Sequence, residues 1–262
     1  MGLEVLFCGD PFIAAALEKQ MPEGPNLGLP STTLSHGVRF PNESTQYRTA
    51  RDELLRQEIE LRRQSERVVA QRRTLPPGGA IKEDYLFNQG TKDEVSLSKL
   101  FGDKPTLITY SLMFGPKRPE PCPSCTALLD GFDGASRHIT QHASFVVIAK
   151  SPIERIRSKA REREWTHLRF ASSAGTTFNK DYFAEDNEGG EWPVLNVFTR
   201  DGDTVRHFYA AEMMFTKPDP GQDFRHLGPL DQLWNMLDFT PGGRGTDWRP
   251  HLDYADSGKH AA

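Results

Sequence analysis

Two cysteines, Cys122 and Cys125, stand three positions apart, with a proline and a serine between them. Thiols at this spacing can close into a small disulfide, bind a soft metal, or exchange with the thiols of another molecule. A closed structural zinc site needs four ligands, and the sequence has no second cysteine pair to supply two of them. The spacing therefore favours redox chemistry, provided that the flanking elements position the two thiols for it.

The segments on either side of the dithiol have the patterns of a strand and a helix. Residues 107–114 form an apolar, partly β-branched run, which predicts a buried strand. Helical spacing follows the dithiol and predicts a helix over about residues 124–141. A second apolar run at residues 144–149 predicts a strand buried on both faces, as parallel strands are. Together these three segments predict a right-handed βαβ unit with the dithiol in the first turn of its helix.

The start of that helix is a favourable place for a reactive thiol. Unpaired backbone N–H groups and the helix dipole stabilise a negative charge there, and Pro123 loses no needed donor in the first turn. Because a thiolate, rather than a thiol, attacks a disulfide, Cys122 is the predicted nucleophile and Cys125 the resolving thiol. Lys117 and Arg118 are expected to add positive potential just before the dithiol.

The rest of the pattern divides the chain into an arm, a body and a tail. Residues 1–44 are rich in proline and glycine and predict a flexible N-terminal arm. Residues 45–247 form the body, which opens with a long helix over residues 46–75, and residues 248–262 predict a polar C-terminal tail. One apolar residue recurs every seven positions along that helix beside a mostly polar companion seam, which supports a coiled coil only weakly. We expect the helix to lie across the body or a sister subunit, so a homodimer is a possible assembly.

Composition limits the classes of function. With 262 residues and a net charge of −4, the chain has no basic excess, and we expect neither nucleic acid nor a membrane surface as a partner. No apolar run approaches the roughly 20 residues that span a bilayer. Three cysteines, including Cys8 in the arm, fit a reducing compartment and predict a cytoplasmic protein. No cofactor or metal is predicted, since no nucleotide loop is visible and His138 and His142, on one predicted helix face, are more often an exposed coincidence.

Several short motifs carry a resemblance to a known family. They are Met-Phe-Gly-Pro at 113–116, Cys-Pro-Ser-Cys at 122–125, Gly-Phe-Asp-Gly at 131–134, Leu-Asp-Phe-Thr-Pro at 237–241 and Gly-Arg at 243–244. With the order of predicted elements, they resemble the thioredoxin-like family catalogued as domain of unknown function 899, over about residues 47–247. The resemblance implies an α/β fold with a peroxiredoxin-type elaboration: a central mixed sheet flanked by helices, with an added N-terminal helix.

The same resemblance implies a substrate-binding role for Pro193 and its neighbour Trp192. Thioredoxin-like proteins hold a proline in the cis form opposite the dithiol, and Pro193 matches it at the entrance of a predicted hairpin. An ordinary trans proline that starts a strand is the alternative. Trp165, Tyr182 and Phe183 lie with Trp192 around a long polar connection, where they either line a hydrophobic pocket or pack into the core.

Three departures from related families narrow the function. No tryptophan precedes Cys122, residues 105–114 lack the buried aspartate of thioredoxin, and neither cysteine follows a threonine or serine by three positions, as a peroxidatic cysteine would. We predict a thiol–disulfide oxidoreductase that acts on a protein or small-molecule disulfide or thiol partner. The alternative is a redox-inert thioredoxin-like binding or accessory module, for example in a biosynthetic pathway.

Overall fold

The computed structural model describes residues 37, 39–223, 225 and 228–254, in two compact units that meet in sequence between Pro76 and Pro77. The predicted arm therefore lies, apart from residues 37 and 39–44, outside the described residues, and so does Cys8. The first unit contains one long helix, α1 (Thr45–Arg73), close to the predicted bounds of 46–75. Ser44 caps it by accepting the Tyr47 N–H at 3.0 Å.

The surface of α1 combines charged pairs with a row of apolar residues. Arg56 pairs with Glu53 at 3.0 Å, and Arg67 pairs with Glu60 at 2.8 Å, along the helix face. Exposed pairs of this kind contribute little to stability, because water and salt screen the charges. The apolar residues that recur every seven positions are 41–67% exposed to solvent. They are Tyr47, Leu54, Leu61, Val68 and Leu75.

The second unit is built on a five-stranded sheet with a separate two-stranded hairpin before it. The strands are β1 (Leu86–Phe87), β2 (Val95–Ser96), β3 (Thr106–Ser111), β4 (Ser144–Ala149), β5 (Phe170–Ser172), β6 (Val194–Asp201) and β7 (Thr204–Ala210). The helices are α2 (Leu97–Leu100), α3 (Pro123–Ile139), α4 (Ile153–Glu162), α5 (Phe178–Asp181) and α6 (Gln232–Leu237). The β1–β2 hairpin and the short α2 precede the main sheet along the chain.

The strand order of the main sheet is β5-β4-β3-β6-β7. β3, β4 and β5 run parallel, whereas β6 and β7 pair antiparallel to their neighbours. α3 connects β3 to β4 and so completes the predicted βαβ unit, and α4 connects β4 to β5. A central mixed sheet with this order and these crossovers is a thioredoxin-like fold, which confirms the predicted fold class.

Side chains alternate between two cores on opposite faces of the sheet. The core that we call the dithiol core contains Tyr110, Cys125 and Leu129, with Leu195 of β6 packed against it. The opposite core contains Phe87, Phe178 and Phe198 among its largest buried side chains. β4 contributes to both, because all six of its residues are buried. The continuous apolar pattern of β4 is therefore the consequence of two covered faces.

Some element boundaries differ from the predicted ones. α3 ends at Ile139, so His142 lies in the following turn, and the prediction that His138 and His142 share a helix face is wrong. The last helix, α6, begins after Asp231, which caps it by accepting the Leu233 N–H at 3.1 Å. Among the described residues, no helix is both long and apolar enough to cross a membrane.

Candidate active site

Cys122 is the N-cap residue of α3, in the position that the sequence predicts for it. Its N–H donates to the Met113 carbonyl at 3.0 Å, and its own carbonyl accepts the Thr126 N–H at 2.9 Å. The first bond ties the dithiol to the end of β3, and the second closes the first turn of the helix. Pro123 occupies the first helical turn, where a missing N–H leaves no hydrogen bond unmade.

The two thiols have opposite acid–base properties. The strongest influence on Cys122 is a hydrogen bond from the Cys125 thiol, and backbone N–H groups of Cys125 and Ser124 and the positive charge of Arg118 act in the same direction. Partial burial opposes them, and the net effect lowers the pKa of Cys122 to about 6. The pKa of Cys125 is raised by the same hydrogen bond and by burial. Cys125 is 3% exposed, so Cys122 is the thiol available to another molecule.

Tyr110 provides a hydroxyl group beneath the buried thiol. Its side chain is 1% exposed in the dithiol core and hydrogen-bonds to Cys125, and this bond favours the Cys125 thiolate. A backbone hydrogen bond from Met113 acts in the same direction. Burial raises the pKa of Tyr110 itself, so its hydroxyl remains a proton donor. Tyr110 belongs to the strand that lacks the buried aspartate of thioredoxin, and it places a hydroxyl next to the buried thiol.

Sequence reasoning missed Tyr110 and a second residue near it. Asp231, the N-cap of α6, is buried, and its charge is close enough to contribute to the raised pKa of Tyr110. Burial also raises the pKa of Asp231. A usable signal existed for Tyr110, since period-2 alternation in β3 directs it to the same face as Leu112 and the following helix. Asp231 is 121 residues from Tyr110 in sequence and gave no such signal.

Charged side chains fix the loop that precedes the dithiol. Arg118 pairs with Glu191 at 3.0 Å, and the Arg155 guanidinium donates to the carbonyls of Arg118, Pro119 (2.7 Å) and Gly115 (3.3 Å). Gly115 permits this arrangement, because a Cβ there would lie 2.6 Å from Glu191 Oε1. The loop is therefore held from α4 on one side and from the segment before β6 on the other. Arg118 is one of the two basic residues predicted to act on Cys122.

Pro193 precedes β6 but is not in the cis form. No peptide bond of the described residues is cis, so the predicted cis isomer is wrong and the trans alternative is correct. The Trp192 N–H donates to the Ala184 carbonyl at 3.0 Å, and Val194, directly after the proline, begins β6 and pairs with Ser111.

The aromatic residues around the long connection differ in burial and in the groups that they contact. Trp165 is buried and stacks on Phe170 at 5.8 Å, so it packs into the core. Trp192 is 47% exposed, and its indole N–H donates to Asp186 at 3.3 Å. Tyr182 and Phe183 line a cavity. Substrate binding by Trp192 and Pro193 stays a prediction.

In the part of the chain that the structure describes, no three histidine, cysteine or acidic side chains are grouped to hold a metal.

The fold and this site define a thioredoxin-like protein with a dithiol at the start of the helix that follows its central strand. The model of a family described as bacterial proteins of unknown function (DUF899) matches residues 38–257. The chain belongs to this family, as its motifs predict. No curated protein matches the sequence.

Solved structures with a similar fold include peroxiredoxin-type proteins at low sequence identity. A cysteine-to-serine variant of PrxQ from Xylella fastidiosa is 13% identical, with 52% of this chain and 84% of that chain covered and a TM-score of 0.41. The peroxidoxin BcpB from Mycobacterium tuberculosis is 16% identical, with 51% and 86% covered and a TM-score of 0.40. Reduced Prx3 from Vibrio vulnificus, in complex with hydrogen peroxide, is 11% identical, with 57% and 92% covered and a TM-score of 0.41.

Proposed function

We propose that this protein is a thiol–disulfide oxidoreductase in which Cys122 is the nucleophile and Cys125 the resolving thiol. The observation that supports this proposal best is the opposite shift of the two pKa values, lowered to about 6 for Cys122 and raised for Cys125. At pH 7, a thiol with a pKa of about 6 is about 90% ionised, against about 3% for a free cysteine. The accessible thiol is therefore the one prepared for attack.

The reaction begins when the Cys122 thiolate attacks one sulfur of a substrate disulfide. A mixed disulfide forms, and the other substrate sulfur leaves as a thiolate. With Cys122 no longer charged, the largest effect that raises the Cys125 pKa is lost, while the bonds from Tyr110 and Met113 that favour its thiolate remain. Cys125 gives its proton to the departing thiolate.

Cys125 then attacks the Cys122 sulfur and releases the second substrate thiolate, which takes a proton from water. Two electrons have passed from the dithiol to the substrate, and Cys122 and Cys125 are joined in a disulfide. An external dithiol of lower reduction potential must restore the reduced pair by the reverse exchange. The partner is thus a protein or small molecule that carries a disulfide or thiols, and we place this cycle in the reducing cytoplasm on the strength of the low cysteine count.

A trapping experiment tests the assignment of the two cysteines. Cys125→Ser, in a Cys8→Ser background, is incubated with glutathione disulfide and analysed by intact-mass spectrometry. We expect a stable adduct of one glutathione on Cys122, because the resolving thiol is absent. Cys122→Ser is the matched control and should remain unmodified. No adduct on Cys125→Ser, or equal adducts on both variants, would contradict the proposal.

A further inference from the structure

The cavity lined by Tyr182 and Phe183 lies on the opposite face of the sheet from the dithiol. Along β6, Leu195 points to the dithiol core, whereas its neighbours Val194 and Asn196 point the other way and line a cavity of about 660 Å³. This volume is in the range of small-molecule sites. The thiol chemistry described above makes no use of it.

Three aromatic side chains, Tyr182, Phe183 and Phe215, form much of the cavity wall. Phe183 has a φ of +58°, in the left-handed region that favours glycine, and its side chain is 75% exposed. A bulky residue in this conformation raises the free energy of the folded state. Because the ring is largely exposed, its burial does not offset that cost. Strained residues of this kind are concentrated at ligand-binding sites. A bound molecule that covers the Phe183 ring would account for both features.

Two polar side chains of the cavity lining, Asn196 and His207, are bonded to each other. Asn196 donates its amide to the Tyr182 carbonyl at 3.4 Å, which directs its Oδ1 toward His207 Nε2 at 2.9 Å. Because an amide oxygen only accepts, Nε2 carries the imidazole proton, and Nδ1 is the nitrogen that can accept a hydrogen bond. Burial lowers the pKa of His207, which keeps the ring neutral.

The charges around the cavity are negative. Asp181 and Glu212 line it, and none of its described lining residues is a lysine or an arginine. Asp181 is already paired with Lys82 at 3.2 Å, whereas Glu212 forms no ion pair with the residues that the structure describes. The carboxylate of Glu212 therefore lines a cavity with aromatic walls and a neutral histidine, His207, in the same lining.

We propose that this cavity binds a small molecule with a flat apolar body and a protonated amine. The apolar body would pack against Tyr182, Phe183 and Phe215, with cation–π attraction from the rings. The ammonium group would donate to Glu212 and to Nδ1 of His207. An anionic ligand would meet the Glu212 carboxylate and no lysine or arginine among the described lining residues, so the site selects by charge as well as by shape.

Isothermal titration of the full-length protein with three indole probes tests the proposal. Tryptamine carries the ammonium group, tryptophol replaces it with a hydroxyl, and indole-3-acetate replaces it with a carboxylate. We expect tryptamine to bind at least fivefold more tightly than tryptophol, and indole-3-acetate to bind most weakly. Equal affinities, tighter binding of the acid, or no saturable binding of tryptamine would overturn the proposal.

Two variants and two controls assign the binding to this cavity. Glu212→Gln should remove the advantage of tryptamine over tryptophol, while Glu188→Gln, an exposed carboxylate outside the lining, should preserve it. Phe183→Gly should weaken both probes without lowering the melting temperature, because glycine tolerates the positive φ. Cys122→Ser should bind tryptamine like the unmodified protein, so this test is independent of the redox proposal. An unchanged probe preference in Glu212→Gln would refute the site.

Discussion

Replacing Cys125 with alanine removes the strongest influence that lowers the pKa of Cys122. A hydrogen bond to a charged group contributes about 1.5–3 kcal/mol, and one pKa unit corresponds to about 1.4 kcal/mol. The pKa of Cys122 should therefore rise by about 1–2 units, from about 6 to about 7–8. It should stay below that of a free thiol, because the backbone N–H groups at positions 124 and 125 remain as donors.

The pKa can be measured from the rate of iodoacetamide alkylation between pH 4 and pH 10, since only the thiolate reacts. A Cys8→Ser background removes the thiol outside the described residues, and mass spectrometry of peptides confirms that Cys122 is the modified residue. Cys125→Ser is the matched control, because its hydroxyl can still donate a hydrogen bond, and its shift should be smaller than that of Cys125→Ala.

Two results would refute this reasoning. If Cys125→Ala and the unmodified protein titrate alike, the hydrogen bond between the thiols is not the cause of the lowered pKa. If the unmodified protein titrates near the free-cysteine value of about 8.5, Cys122 is not activated at all. The second outcome would favour the redox-inert binding or accessory module over the oxidoreductase.

Two further substitutions test the surroundings of the dithiol. Tyr110→Phe removes one donor to Cys125 and should slow the resolving step about tenfold, with little change in the Cys122 pKa, and quenched-flow measurement of the mixed disulfide checks it; an unchanged lifetime of that intermediate would show that the hydroxyl is not involved. Arg118→Gln should raise the Cys122 pKa by a few tenths of a unit at low salt and by less at about 1 M salt, because the charge is partly exposed and screened. Lys117→Gln removes a charge that, against the expectation from sequence, is not among the main influences on Cys122, so it should shift the pKa less than Arg118→Gln does; equal shifts in both variants would indicate a general effect of net charge.

Much of the site could be predicted because it is local in sequence. The strand, the dithiol and the helix follow one another within about 35 residues, and periodicity and capping rules place Cys122 at the helix start. The prediction of a cis peptide at Pro193 was wrong because it transferred a feature from related proteins. A residue-by-residue resemblance does not specify the isomer of a single X–Pro bond.

The sequence by itself determined the order of the elements, the thioredoxin-like fold class and the position of the dithiol at the start of a helix. These follow from apolar periodicity and from the chemistry of two thiols at a helix start, and both are properties of neighbouring residues. Only the tertiary structure decided which distant groups lie near the thiols and where the cavity lies. Asp231 is close enough to Tyr110 to raise its pKa although 121 residues separate them, and Lys82 pairs with Asp181 in the cavity lining, 99 residues away. Long-range contacts of this kind leave no spacing pattern along the chain, so only the folded structure reveals them.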